Sequence, residues 1–358
     1  MKKKTRFVFM PKLIVTLILI MAGIMISYEM RVFKDNKDNI SDCDIVLIKT
    51  KNINDKDFES IKKTLKKVSE TREKKYKVID VNDYKKSVTR TLNVALESKA
   101  SLIIVPDNSF DCEIHDIQNS YINVYFMILN GFPHDKENKD FTIDTNVCPL
   151  NYNYSEAGFL AGYYSILSGY KKISYVVSEN DFASMHYYYG FIQGANYYAL
   201  QNNIKNVTID AYYTKDGNLK FDLFSDNELI IADSESTYTE LNKKYKNTDF
   251  IICDDVNNIS EEKNIIANTT INYNTPLYNY INDEILGIIK GGEITTIGIK
   301  ENSVNLKTYD NKNSEDPTEE INKIIEEIKS NDIIVISDTS IPCDELELNT
   351  IIVNEINL

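Results

Sequence analysis

Asp254 and Asp255 follow directly on the apolar run 250–253 and are the polar pair of greatest interest in the chain. A carboxylate at the carboxyl end of a strand can take two vicinal hydroxyls at once. In so acidic a chain the pair reads as ligand polarity rather than acid–base machinery. Cys112 and His115 lie three apart, but a nucleophile needs a base that a third group orients, and no such group is legible. There are three histidines, His115, His134 and His186, and no G-x-S-x-G, H-E-x-x-H or G-x-x-x-x-G-K pattern. The five cysteines are scattered without a C-x-x-C pair, so no metal, redox centre or cofactor is expected, and the chain is not read as an enzyme.

Groups of this kind must be held by a frame, and the frame repeats. Residues 44–49 form a short apolar run, and Phe58, Ile61, Leu65 and Val68 then recur at helical spacing with lysines on the other face. Strand patterns at 77–81, 101–105, 123–129, 172–177, 207–213, 228–232, 250–253 and 265–271 alternate with helical patterns. The helical stretches are 84–96, 155–167, 182–201, 237–246 and 277–290. Such alternation predicts parallel sheets covered on both faces. Ligands of such sheets lie beyond the carboxyl ends of the strands. The segments to watch are therefore 54–58, 106–110, 130–132, 178–187, 233–236 and 254–257. Residues 293–306 break the rhythm and predict a hairpin at a sheet edge, followed by a charged helix over 316–328 and a last strand over 332–336. The polar stretch 134–151 reads as a loop between lobes.

The 358 residues suffice for two lobes, because a single core usually stops growing near ~250–300 residues. Forty Lys and Arg against 54 Asp and Glu give a net charge of −14, which repels a phosphate backbone and excludes nucleic acid as a partner. The chain begins Met-Lys-Lys-Lys-Thr-Arg and then runs largely apolar to about Tyr28. A positive cluster before an apolar stretch keeps the start in the cytoplasm and sends the remainder of the chain across the membrane. Residues 1–30 are read as a signal anchor in preference to a cleaved signal peptide, and 31–42 as a polar tether.

The stretch Glu156-Ala157-Gly158-Phe159-Leu160-Ala161-Gly162-Tyr163-Tyr164 is followed, after a strand, by Tyr187-Tyr188-Tyr189-Gly190-Phe191-Ile192-Gln193-Gly194. Together with Gly298-Ile299-Lys300 to Val304, it resembles the basic membrane protein (BMP) family of substrate-binding lipoproteins, which serve ABC transporters and bind purine nucleosides. By themselves, the paired glycines make smooth helix faces for close packing and are not ligand contacts. The resemblance implies that Asp55 and Phe58 belong to the first ligand loop, with Phe58 stacking on a planar base. Phe58 also begins the apolar stripe of its helix, so a core position is the other reading. Tyr187 matches the opposite aromatic wall, with His186 beside it as a polar candidate. Asp254 matches the carboxylate that accepts from ribose hydroxyls, with Asp255 as the fallback.

The chain departs from the family pattern at three places. Asn130 stands where the family has an aspartate, and asparagine donates as well as accepts. A lysine is missing after Thr269-Thr270, and Asp233-Ser234-Glu235-Ser236 replaces a glycine-rich turn, leaving Ser234 as the candidate there.

The expectation is an α/β type I periplasmic-binding-protein fold, two Rossmann-like lobes with a central cleft. Lobe 1 is expected to comprise 43–150 with 262–310, and lobe 2 to comprise 151–261 with 311–358. The implied function is extracytoplasmic capture of a nucleoside-like small molecule for an ABC permease and ATPase, at the outer face of the cell membrane. The alternative is a membrane-anchored sensor or regulator with a lost or altered ligand. A DNA-binding repressor of similar shape is set aside, since an apolar segment stands where a helix-turn-helix would.

Overall fold

The computed structural model describes residues 42–358 apart from 180, 216–220, 225–226, 255–263, 286, 288–290 and 310–316. The expected anchor over 1–30 and the tether up to 41 lie outside the described residues. Among the described residues no helix is long and apolar enough to cross a membrane.

In chain order the elements run β1 (Ile45–Lys49), α1 (Asp55–Arg72), β2 (Tyr76–Asp80), α2 (Val88–Glu97), β3 (Leu102–Val105), α3 (Asp111–Ile117), β4 (Tyr125–Leu129) and β5 (Val147–Tyr152). There follow α4 (Tyr154–Leu167), β6 (Lys172–Ser178), α5 (Phe182–Gln201), β7 (Val207–Thr214), β8 (Leu229–Ala232), α6 (Glu235–Asn242), β9 (Asp249–Ile252) and β10 (Ile265–Ile271). The chain closes with α7 (Thr275–Ile285), β11 (Thr295–Ile297), β12 (Val304–Thr308), α8 (Thr318–Lys329) and β13 (Ile351–Asn357).

One sheet has the order β11-β5-β4-β3-β1-β2, all parallel; the other has the order β12-β10-β9-β8-β6-β7-β13, parallel except for β12 against β10. Strands such as Leu102–Val105 and Leu229–Ala232 are buried at every residue, as sheets covered on both faces require. Helix α1 starts where the Asn54 side chain accepts from the Asp57 N–H at 2.8 Å, and its stripe Phe58, Ile61, Leu65 and Val68 is buried. A continuous core runs from the α1 face of the first sheet to the α4 and α5 face of the second, and separate clusters fill the outer faces.

Helices α4 and α5 meet backbone to backbone. A Cβ added at Gly158 would strike the Tyr187 carbonyl, one at Gly162 that of Phe191, one at Gly190 that of Ser155, and one at Gly194 that of Phe159. The four glycines are thus reciprocal, two on each helix. Twelve residues of α4 are buried, which accounts for its lack of a polar face.

Four expectations are corrected. Residues 293–306 do not form a hairpin: β11 pairs with β5 in the first sheet and β12 with β10 in the second. The intervening turn is a crossing between sheets, held where the Ile299 N–H donates to Glu156 Oε2 at 2.6 Å. Residues 262–310 do not belong together in lobe 1, since β10 and β12 lie in the second sheet while α7 packs on α1 and β11 lies in the first sheet. The stretch 134–151 contains the start of β5, a buried strand that Pro149 and Asn151 disguise in an apolar count. Residues 332–336 are not a strand; Gln193 on α5 bonds both the carbonyl and the N–H of Ile336, and the last strand is β13 beside β7.

Gly190→Ala should therefore lower the unfolding free energy by about 3 kcal/mol, the upper end of the usual cost of overpacking, because a carbonyl cannot yield as a side chain can. Urea titration of the variant against the parent chain measures it.

Candidate functional site

The carboxyl ends of β1, β3, β4, β6, β8, β9 and β10 open on one cleft of about 1090 Å³ that both sheets line. Its walls come from the segments that follow these strands. Asn54 and Asp57 open α1, Asp107 and Asn108 follow β3, and Asn130 follows β4. Opposite stand Ser178, Asp181 and Phe182 after β6, Asp233 to Ser236 after β8, and Asp254 after β9. Tyr154 and Tyr273, on the segments that cross between the sheets, form its floor with Tyr187.

The floor is aromatic and tightly keyed. The Tyr154 and Tyr187 rings meet edge to face at 5.1 Å, Tyr154 meets Phe182 at 6.2 Å, and Tyr273 meets Tyr152 at 4.9 Å. Asn130 adopts a positive φ of 54°, a conformation that asparagine tolerates better than most residues. Its Oδ1 accepts from the Tyr152 N–H at 3.0 Å, and its Nδ2 donates to the Tyr154 hydroxyl at 2.8 Å. An aspartate could make the first bond and could not donate in the second. Asparagine at this position therefore ties the first sheet to the crossing. The Tyr273 hydroxyl reaches Asp57 at 3.5 Å. Burial pushes the phenols of Tyr154, Tyr187 and Tyr273 upward, so all three are neutral at physiological pH. The Tyr187 hydroxyl is buried against the Thr269 hydroxyl on β10.

Side chains cap the helix starts around the cleft. Asp181 Oδ1 accepts from the Ser184 N–H at 2.9 Å, Ser234 Oγ accepts from the Thr237 N–H at 3.2 Å, and Asp107 Oδ1 accepts from the Ser109 N–H at 2.8 Å. Asp107 also accepts from the Thr50 hydroxyl. Asp233 is held by hydroxyl donors, Ser178 on one oxygen and Thr237 on the other at 2.6 Å; burial raises its carboxyl, opposed by those bonds. Asp254 Oδ2 accepts from the Glu235 N–H at 3.3 Å.

Of the eight residues singled out from the sequence, Asn130, Tyr187, Ser234 and Asp254 line this cleft. Phe58 does not. It is 2% exposed within the core under α1, and the Lys49 ammonium covers its ring at 5.2 Å. The apolar-stripe reading of Phe58 is the one the geometry follows. Asp55 points elsewhere, bonded to that same Lys49 at 2.7 Å. His186 is stacked on Phe182 at 4.0 Å with its Nδ1 on the Phe182 carbonyl at 2.8 Å, away from the cleft wall; burial lowers its pKa, so the ring is neutral at physiological pH. Asp255 lies outside the described residues.

Sequence reasoning missed Tyr154 and Tyr273. The first comes after a strand whose composition resembles loop, and the second after a strand whose lobe no local pattern reveals. Asp57, Asp107, Asp181 and Asp233 were within the post-strand segments, but their residue types alone did not separate them from other surface acids.

One buried acid supports the wall from behind. The Phe132 N–H donates to Asp111 Oδ2 at 3.1 Å while Oδ1 has no partner, and a Cβ at Gly131 would meet the same carboxyl. Burial, with Asp107 and Glu113 nearby, pushes Asp111 up to about 8 from its ordinary 3.8. Between those values the folded chain holds a proton that the unfolded chain has released, so its contribution to stability is full below 3.8 and falls as pH rises toward about 8. Asp111→Asn should flatten that fall, by about 1.4 kcal/mol per pH unit at most, in urea titrations repeated across the window. Phe58→Ala should cost about 3–5 kcal/mol of stability, as truncation of a buried ring does. Thermal unfolding shows this without any ligand.

The comparisons agree with this architecture. Residues 43–339 match the family model Bmp, ABC transporter substrate-binding protein PnrA-like. No curated protein matches the chain. Among solved structures, ABC transporter system solute-binding proteins from Aeropyrum pernix K1 align with a TM-score of 0.61 at 14% identity, covering 85% of this chain and 95% of that one. One from Conexibacter woesei DSM 14684 aligns with a TM-score of 0.58 at 12% identity, covering 82% and 99%. A transcriptional activator of the comK gene from Bacillus halodurans aligns with a TM-score of 0.63 at 14% identity, covering 81% and 99%. At such identities the structures speak for the fold alone, and fold alone does not separate a transporter component from a regulator. The family match spans most of the chain, including the two glycine helices and the crossing that Glu156 holds: the chain belongs to the Bmp family of PnrA-like ABC transporter substrate-binding proteins.

Proposed function

We propose that this chain captures a nucleoside-like small molecule on the outer face of the membrane, held there by its N-terminal apolar segment, and passes it to an ABC permease and ATPase. One observation carries the reading: segments after strands of both sheets converge on a cleft with an aromatic floor and polar walls. A planar base lies against Tyr154 and Tyr187, which take the part first expected of Phe58, while Asp254 accepts from vicinal hydroxyls. The two lobes are 43–152 with α7 and β11, and α4 to β10 with β12 to β13. A ligand touching both walls favours the closed arrangement by the contacts it gains there.

A second reading has an observation of its own. Asn130 spends both ends of its amide on Tyr152 and Tyr154, and Asp254 already accepts from the Glu235 N–H. A sensor or regulator with an altered ligand fits a cleft whose expected contacts are partly used within the chain.

Isothermal titration of the full chain in detergent with adenosine, guanosine and inosine separates the two. Saturable heat with one of them, weakened about tenfold or more in Asp254→Ala, is the expected result. Heat with none of them rejects the nucleoside reading.

A further inference from the structure

The cleft wall is lopsided in charge. Among its described residues stand six carboxylates, including Asp107, Asp181, Asp233 and Asp254, against two lysines. Even with the buried Asp233 protonated, five acids face two bases. One of those bases, Lys215, is drawn to Glu179, 3.6 Å away and outside the wall. Asp107 and Asp181 are held by N–H and hydroxyl donors, not by lysine or arginine.

Anion binding is opposed in a second way. Helix starts at a strand-end cleft ordinarily offer free N–H groups to phosphate. Here Asn54, Asp181 and Ser234 cap α1, α5 and α6, and a carboxylate supplies one of those caps. A phosphate approaching these termini meets fixed oxygens.

The floor supplies an independent sign. Tyr154, Phe182 and Tyr187 line the cleft as an edge-to-face cluster, and aromatic rings attract cations most strongly where water is excluded. Tyr187, 2% exposed, turns its hydroxyl to the Thr269 hydroxyl, and it lines the cleft together with Tyr154, Cys253 and Asp254. Oxygen acceptors and aromatic rings around one volume are the surroundings of an organic cation.

We propose that the cleft selects a solute carrying positive charge, seated between the carboxylate wall and the tyrosine floor. This rests on the capture reading above and names the charge class of its ligand. A nucleoside that meets it bears a cationic base, and a phosphorylated one is rejected.

The test is titration of the full chain with adenosine, 1-methyladenosine, adenosine 5′-monophosphate and choline. Adenosine and 1-methyladenosine differ by one methyl group and one positive charge. We expect 1-methyladenosine to bind about tenfold or more tightly than adenosine, with the margin narrowing between about 0.02 M and about 0.5 M salt as screening grows, and the monophosphate not to bind. Asp107→Asn with Asp181→Asn removes two charges while keeping both caps, since asparagine caps as aspartate does. That double variant should lose most of the margin between the two nucleosides.

Equal affinity for adenosine and 1-methyladenosine, or an unchanged margin in the double variant, overturns the charge proposal and leaves the nucleoside reading standing. Choline binding with no nucleoside binding upholds the charge proposal and rejects the nucleoside. Binding of the monophosphate as tightly as 1-methyladenosine, or of no probe at all, overturns it.

Discussion

The backbone contact between α4 and α5 is the constraint on which the site depends. Gly158 lies against the Tyr187 carbonyl, and Gly190 lies against the Ser155 carbonyl. These contacts leave the helices no freedom to slide, so Tyr154 at the start of one and Tyr187 on the other meet 5.1 Å apart. The helices lie on the second sheet, but α4 begins directly after β5 of the first. A packing rule between two helices thus places the floor of a cleft between two sheets.

The crossings between the sheets are secured by polar groups whose other duties are few. Glu156, in the first turn of α4, accepts from the Ile299 N–H of the β11 to β12 crossing, and a side chain at Gly298 would collide with its carboxyl. Burial raises the Glu156 carboxyl, and the N–H donor pulls it back. Asn130 performs the matching task at the β5 to α4 crossing with both ends of its amide. Such bonds hold because the groups are removed from water, where an unpaired partner costs about 1–3 kcal/mol. The Glu156-Ala157-Gly158 motif therefore unites two jobs on one helix turn: a carboxylate for the crossing and a glycine for the neighbouring helix.

In the cleft, residues that cap helix starts also form the wall. Asp107 and Asp181 cap their helical turns and also line the cleft, Asp107 accepting from the Thr50 hydroxyl on its second oxygen. Serine or asparagine could cap equally well. Carboxylates at these positions add a field that a neutral cap would not, and that field is what a charged solute meets on entry.

How much of this was legible from residues alone depends on the distance over which each feature is decided. Alternation of apolar runs with helical stripes is local, so the parallel α/β character and most strand positions could be read directly, as could the gathering of the segments after strands at one cleft. Phe58 illustrates the limit. Its type suited a stacking wall and its spacing suited a core, and its burial among the apolar residues under α1 decides between them. The same holds for β5, whose Pro149 and Asn151 hide its burial, and for Tyr154 and Tyr273, which become floor residues because of where two crossings run. Sequence by itself determined the frame, the helix faces and the acidic balance, since these arise from composition and period. Which sheet β10 joins, which tyrosines meet, and which acids share a wall were decided by tertiary structure, because each depends on partners far away along the chain.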